Sequence, residues 1–387
     1  MNEDPTQGDP GNDRRSGTDP DTSYLSQSQL IWRRFSRHRV GRLALDVLVC
    51  FYLVALLAEF FAPLGPLYRD LDNIFCPPQL PRWSWNDGLH CPVMVNEVDP
   101  VTLQNRYHRD PDRVLPLKIV ARGDPYRLWG LIPWDRHFLG LDRDAFLAGR
   151  DPDTPFPVVH FLGADKYGRD ILTRVIYGSR ISLSIGLVSI AITLVLGITV
   201  GGVSGYIGGA VDNVIQRGIE ILNSFPRLPL WLAIGAIMPR EWSAIAVYFA
   251  ITVVLSLLGW TQLARVVRGK ILSLREEDYA VAARLIGAGH GRILFRHLLP
   301  GFTSHIIVVI TLAIPGMILG ETALSFLGLG LRPPIVSWGV MLQDCMNVQV
   351  IATAPWLLTP VITIIVTVMS FNFLGDALRD ASDPYNE

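Results

Sequence analysis

Apolar residues gather into six runs along this chain, separated by charged and glycine-rich stretches. Three runs carry no charge: Ser182 to Tyr206, Trp242 to Ala264, and Val348 to Gly375, whose spanning part is expected at Trp356 to Leu374. Each holds the roughly 20 residues a helix needs to cross a bilayer. Three others are interrupted, Leu45 to Ala62 by Asp46 and Glu59, Val214 to Met238 by Arg217, Glu220 and Arg227, and Ser304 to Thr322 by His305 and Glu321. The pattern predicts an all-α polytopic membrane protein with six transmembrane helices and an inserted segment of mixed structure between the first two.

Between the fourth and fifth runs lies a hydrophilic island, Asp278 to Pro300, that must face water. On helical spacing Tyr279, Ala282, Ala283 and Ile286 fall at i, i+3, i+4 and i+7, one apolar face of mostly small residues, with Arg284 on another side. A face of that kind fits a partner's groove, although a plain surface loop with a short helix satisfies the same periodicity. Gly287, Gly289 and Gly291 each cost roughly 1 kcal/mol relative to Ala within a helix, so a turn is expected there. Pro300 closes the unit.

Two features inside the runs stand out. Gly197, Gly201, Gly205 and Gly209 recur every fourth residue, the small-xxx-small pattern that lets helices approach closely in bilayers. Tight packing is the first reading and a hinge for alternating access the second; Gly316 and Gly320 repeat the spacing just after Pro315, where a bend is expected. Glu321 is an ionisable residue at membrane depth, hence a candidate for a translocation pathway. A structural cap or pairing role is the other reading of it.

Half of the 387 residues are hydrophobic and 18% are charged, against about a quarter charged in ordinary soluble domains. A net charge of −1 gives no reason to expect nucleic acid. Basic residues cluster in Trp32 to Arg42 and again at Arg265, Arg268, Lys270, Arg275, Arg284, Arg292 and Arg296. Excess Lys and Arg in short loops marks the cytoplasmic side, which places both termini and the island inside and the segment after the first run outside. The expected units are a disordered tail over 1–27, too poor in apolar residues to fold and lacking the apolar stretch of a signal peptide; a basic amphipathic segment and first helix over 28–63; a periplasmic insertion over 64–159; and a membrane core over 160–387 that contains the cytoplasmic loop 265–300.

Four cysteines are too few for a disulfide scaffold. Cys50 is expected as a buried small hydrophobe, and Cys345 as external without an obvious partner. Cys76 and Cys91 both lie in the external segment; pairing in an oxidising periplasm would close a loop worth about 3 kcal/mol, and two free thiols are the alternative. At the entry to the second run, Asp170 and Arg174 stand four apart, a spacing that allows an ion pair worth a few tenths of a kcal/mol. Chemistry-bearing motifs are lacking: there is no phosphate-cradling G-x-x-x-x-G-K-[ST], Gly328-Leu-Gly-Leu-Arg-Pro333 reads as a turn, and the Cys and His spacings fit no zinc site.

Ala282-Ala283, Gly287 and, nine residues on, His297-Leu298-Leu299-Pro300 resemble the EAA loop of binding-protein-dependent ABC importer permeases. Val281 stands where that loop has its Glu, and His297 where Ile is frequent. Leu162-Gly163, Asp165, Gly168-Arg169-Asp170, Arg174, Gly178, Arg180 and Ser182-Leu183 are similar to the passage before the second span in dipeptide, oligopeptide and nickel permeases. Gly205-Tyr-Ile-Gly-Gly209 with Asp212, Arg217 and Phe225-Pro226, then Leu324 to Leu331 and Asn372 to Pro384, extend the resemblance over about 160–384. The insertion is similar in size and place to that of microcin-type peptide permeases.

The resemblance implies a non-catalytic subunit that forms half of a pathway for peptides and pairs with a second permease. Two cytoplasmic ATPases would bind the ATP and Mg that this chain does not. They would dock on Tyr279, Ala282, Ala283, Arg284, Ile286, Gly287, Ala288 and Pro300, and a periplasmic solute-binding protein would deliver substrate to the outer face. The setting would be the bacterial inner membrane. Nickel or another small solute is the alternative cargo. A secondary transporter or channel is the rival class; it would show intramembrane charges matched across inverted repeats.

Overall fold

A computed structural model describes residues 27–100, 105–148, 151 and 154–383; the tail expected over 1–27 lies almost entirely outside the described residues. Helix α1 (Gln27–Arg37) leads into α2 (Arg39–Leu56) and the one-turn α3 (Ala58–Phe61). An inserted sheet follows, and then α5 (Ile171–Ile207), α6 (Gly209–Ser224), α7 (Arg227–Ile237), α8 (Ala244–Leu274), α9 (Asp278–Leu285), α10 (His290–Arg292), α11 (Thr303–Phe326), α12 (Trp338–Leu342), α13 (Val348–Thr353) and α14 (Thr359–Ser382).

Among the described residues four helical stretches are long and apolar enough to cross a membrane: Ile171–Ile207, Ala244–Leu274, His290–Phe326 and Pro355–Ser382. Six were expected. The first expected span falls on α2, an 18-residue helix that carries Arg39, Arg42 and Asp46. The third is cut in two, because Pro226 forces Phe225 into extended backbone and leaves α7 only 11 residues, about 16 Å of helix. Helix α5 has 37 residues, about 55 Å, well beyond a hydrocarbon core of about 30 Å. Its first ten residues, with Arg174 and Arg180, therefore stand clear of the uncharged run that begins at Ile181. No interruption marks Pro315, which lies buried inside α11.

Helix α5 is the central element. It packs against α8 along most of its length and against α2 and α11 elsewhere, while α14 closes on α2 and α11. One apolar cluster joins α2, α5, α11, α12 and α14 through Leu48, Leu183, Ile318, Trp338, Ile364 and Phe371. A second joins α5, α7, α8 and α11 through Ile185, Trp231, Leu255 and Met317.

The described residues of 64–159 form a sheet, one short α-helix, α4 (Arg143–Leu147), and a 3-10 turn over Leu71–Asn73. Strands β1 (Arg82–Ser84), β2 (Gly88–Val98), β3 (Asn105–Leu128) and β4 (Ile132–Leu141) pair in chain order, all antiparallel. The long β3 pairs with β2 over its first half and with β4 over its second. Leu115 and Leu117, two apart and so on one face, pack with Cys91, Phe146, Val159 and Phe161.

Cys76 and Cys91 are both free. Each thiol has its own buried place: Cys91 sits in the sheet cluster and donates to the Gln79 carbonyl at 3.0 Å, and Cys76 donates to the Pro77 carbonyl at 3.5 Å. Burial pushes both thiols up to about 12, which keeps them protonated and unreactive. Cys50, expected inside, is exposed on α2, whereas Cys345 is buried and donates to the Leu357 carbonyl at 3.4 Å.

Buried polar groups join the sheet to α5. Asp165, fully buried, accepts from the Tyr167 and Arg169 amides at 2.8 and 3.0 Å, from Arg169 Nε at 2.7 Å, and from Arg174 Nη1. The expected Asp170–Arg174 pair does not form, because Asp170 caps α5 by accepting from the Thr173 amide at 2.7 Å. Its other carboxylate oxygen lies 3.4 Å from His160 Nδ1, and Asp70 lies 3.5 Å from Nε2 on the opposite side of that ring. Burial works to lower the basicity of His160, but the flanking Asp170 and Asp70 outweigh it and raise the imidazole to about 9.

Candidate functional site: the loop between α8 and α11

The loop's local structure follows from its sequence. Glu277, in extended backbone, precedes α9, and α9 ends on a left-handed residue, Gly287, at φ +84°. The Ala288 amide donates back to the Ala283 carbonyl at 3.0 Å and the Gly287 amide to the Arg284 carbonyl at 3.1 Å, the paired bonds of a Schellman stop that favours glycine. Helix α10, a π-helical turn over Ile293–Leu298 and a 3-10 turn over Leu299–Phe302 then carry the chain into α11.

The expected docking residues divide between two faces of α9. Ala283, with its unpredicted neighbour Ala280, faces inward against Leu263, Val267, Ile271, Ile293 and Leu298. Tyr279, Ala282 and Ile286 face outward with Leu285; Leu285 is 82% and Ile286 86% exposed. Ala283 is thus part of the seat and not of the outer ridge, because a small side chain is what lets a short helix lie close on the π-helical turn over Ile293–Leu298. Leu285 was missed, and its signal is an apolar pair set directly before the terminating glycine. Arg284 is exposed and donates to the Arg275 carbonyl at 3.3 Å, Ala288 is half-buried, and Pro300 is exposed at the foot of α11.

Beneath this seat α5 and α8 meet along the glycine stripe. A methyl group at Gly197 would lie 2.7 Å from the Leu263 side chain, one at Gly205 2.8 Å from the Arg268 carbonyl, and one at Gly201 would collide with the Ala264 backbone. The fourth member, Gly209, has open space. At the same end Arg268 of α8 forks onto Asp212 of α6, which also accepts from Ser204 of α5. The Arg268 guanidinium holds the Asp212 carboxyl down at about 2. Arg275 Nη1 donates to the Gly205 carbonyl at 3.1 Å, and the His290 ring meets the Tyr206 hydroxyl at 3.2 Å. A force on α9 or α10 therefore reaches α8 and the end of α5 through packed atoms.

Glu321 is completely buried and accepts from Ser182 at 3.2 Å, Ser325 at 2.8 Å and Ser337 at 2.8 Å. Ser182 in turn accepts from the Trp338 amide at 3.2 Å, and Ser325 from the Leu331 amide at 3.0 Å. The carboxylate ties α5, α11 and the start of α12 together. It does not line an open surface in this conformation. Among the described residues no group of His, Cys, Asp and Glu is arranged to hold a metal.

The family described as binding-protein-dependent transport system inner membrane component matches residues 193–385, and the N-terminal transmembrane domain of oligopeptide transport permease C matches 26–78. The dipeptide transport system permease protein DppC of Bacillus subtilis is 40% identical over 227 residues, covering 58% of this chain and 68% of that protein. The chain belongs to this permease family. Oligopeptide transport system permease protein OppC of Bacillus subtilis is 36% identical over 233 residues, 60% of this chain and 74% of its own length. Glutathione transport system permease protein GsiD of Pectobacterium atrosepticum is 41% identical over 225 residues, 58% and 72% respectively. The permease-family match encloses α9, Gly287, the Asp212–Arg268 pair and Glu321, while residues 79–192, with the whole sheet, fall between the two matched stretches.

Proposed function

We propose that this chain is the transmembrane subunit of an ATP-driven peptide importer and that the outer ridge of α9, Tyr279, Ala282, Leu285 and Ile286, docks a cytoplasmic ATPase. The observation that carries the reading is an apolar ridge, exposed in this chain, on a base of buried alanines, in a loop that bonds to the end of α8 through Arg284 and to α5 through His290. Covering Leu285 and Ile286 would gain on the order of 3–5 kcal/mol before ordering costs. That is enough to bias a two-state element by two to three powers of ten.

In this reading two ATPase subunits hold ATP and Mg, a second permease chain completes the pathway, and a solute-binding protein delivers peptide from the face that carries the sheet. Both termini lie in the cytoplasm with α9. The names of the dipeptide, oligopeptide and glutathione permeases favour peptides as cargo. Nucleotide-driven closure of the ATPases moves α9, and α8 and α5, locked along the glycine stripe, carry the movement into the membrane.

The test is the paired substitution Leu285→Asp with Ile286→Asp in the assembled importer. The expected result is at least a tenfold loss of ATPase subunit co-purifying with the permease, with ATP-driven dipeptide uptake abolished and the chain still inserted. Uptake at the parental rate would overturn the assignment of this ridge.

A further inference from the structure

We propose that the tip of the β3–β4 hairpin, Trp129 to Ile132, is an interfacial anchor that seats in the lipid headgroup layer on the sheet's side of the membrane. The inference rests on the helices crossing a bilayer and not on the ATPase reading.

Arg180 gives the depth. It is the last charge on α5 before the uncharged run, and it donates to the Ala55 and Leu56 carbonyls at 2.9 and 3.1 Å and forks onto Glu59 at 2.9 and 2.7 Å. These groups mark where the end of α2 and the flank of α5 leave the hydrocarbon. The Trp129 indole donates to the same Leu56 carbonyl at 2.8 Å. The hairpin tip therefore lies at the level where the charges stop, the depth at which tryptophan is enriched in membrane proteins.

The tip is apolar and uncovered. Leu131 is 79% exposed, and Ile132, Trp129 and Trp134 are each exposed by more than two fifths. Trp134 stacks on Phe60 of α3 at 5.8 Å, so the apolar surface runs on from the membrane helix to the strand. Exposed Arg127 stands just behind the turn, where it can meet lipid phosphate.

The backbone gives an independent reason. Trp129 has φ +52° and Gly130 φ +73°, with the Leu131 amide donating to the Leu128 carbonyl at 3.0 Å. That is a two-residue hairpin turn of the kind that favours Asn-Gly. A bulky side chain in left-handed backbone is strained, so the position keeps an indole against local preference. Water offers nothing to Leu131 and Ile132 in return, whereas a headgroup layer takes up the aliphatic pair and the ring together.

The test uses full-length protein in nanodiscs of phosphatidylethanolamine and phosphatidylglycerol. An environment-sensitive fluorophore is attached through Leu131→Cys or Glu97→Cys in a Cys50→Ser background, since Cys50 is the one native cysteine that is exposed. Glu97 is an exposed residue of β2, opposite Arg106 at the end of β3 away from the hairpin tip. We expect the label at position 131 to be blue-shifted, quenched at least twofold by nitroxide lipids spin-labelled near the headgroup, and protected from aqueous iodide. The label at position 97 should show the reverse. Equal iodide quenching at the two positions would overturn the proposal. So would a label at position 131 shielded from iodide and nitroxide lipid alike, because that result means a protein covers the tip.

Discussion

The loop between α8 and α11 and the sheet between α3 and α5 both leave the helical core and return to it, but one rests on apolar side chains and the other on buried charge. The loop's Ala280, Ala283, Ile293 and Leu298 share one apolar cluster with Leu263, Val267 and Ile271 of α8; at the root of the sheet lie His160 between Asp70 and Asp170, and Asp165 between Arg169 and Arg174. A seat made by packing is indifferent to pH and tolerates sliding. A seat made by ion pairs is directional and titrates. The contrast suits a moving lever at one end and a fixed attachment at the other. The turns repeat it: Gly287 takes its left-handed conformation freely, and Trp129 takes the same region of backbone under strain.

Placing a charge in the apolar seat should give the largest effect. Ala283→Asp leaves an unpaired carboxylate among aliphatic side chains and is expected to cost about 3–5 kcal/mol, read as rapid proteolysis of 278–300 in the assembled protein. Wild-type resistance in that variant would mean the loop does not rest on its alanines.

Titration of the sheet's root comes next. His160 has a folded-state value of about 9 against an ordinary 6.5, so its stabilisation is complete below about pH 6.5 and is lost as pH rises through about 9. The span corresponds to on the order of 3 kcal/mol. The protection of the His160 and Gln79 amides against exchange, taken relative to the intrinsic base-catalysed rate, should fall between pH 7 and 10; these amides bond to Gln79 Oε1 and the His160 carbonyl at 2.6 and 2.9 Å. Asp70→Asn should flatten that profile, while the loop amides show no such opening. A matching loss of protection at both sites would erase the distinction.

The smallest effects separate the two turns. Gly287→Val forces a branched side chain into left-handed backbone and should cost about 1–2 kcal/mol, measured by thermal denaturation in detergent. Trp129→Asn relieves a similar strain and loses one hydrogen bond worth about 1 kcal/mol, so its net change should be close to zero. Equal losses would show that the indole carries more stability than its one bond accounts for.

Much of the core was legible because uncharged runs and terminating glycines act locally: the four apolar helices and the Gly287 stop follow from residues within a turn or two. The division of α9 was not. Ala282 and Ala283 carry the same label in sequence, and which of them faces inward is decided by Ile293, Leu298 and Phe302, residues ten to twenty positions further on. Likewise the i,i+4 spacing of Asp170 points to Arg174, while the Thr173 amide and the His160 ring hold its carboxylate instead. The sheet was nearly silent, since β3 carries proline and charge along its length and its four buried residues, Leu115, Leu117, Ala121 and Leu128, keep no regular alternation.

The most direct measurement is photocrosslinking from position 286 of α9 in the assembled importer, with the same photoreactive residue at position 131 of the hairpin for comparison. An adduct is expected between position 286 and an ATPase subunit, and none between position 131 and that subunit. An importer that takes up peptide with ATP yet gives no ATPase adduct from position 286 would contradict the assignment of the α9 ridge.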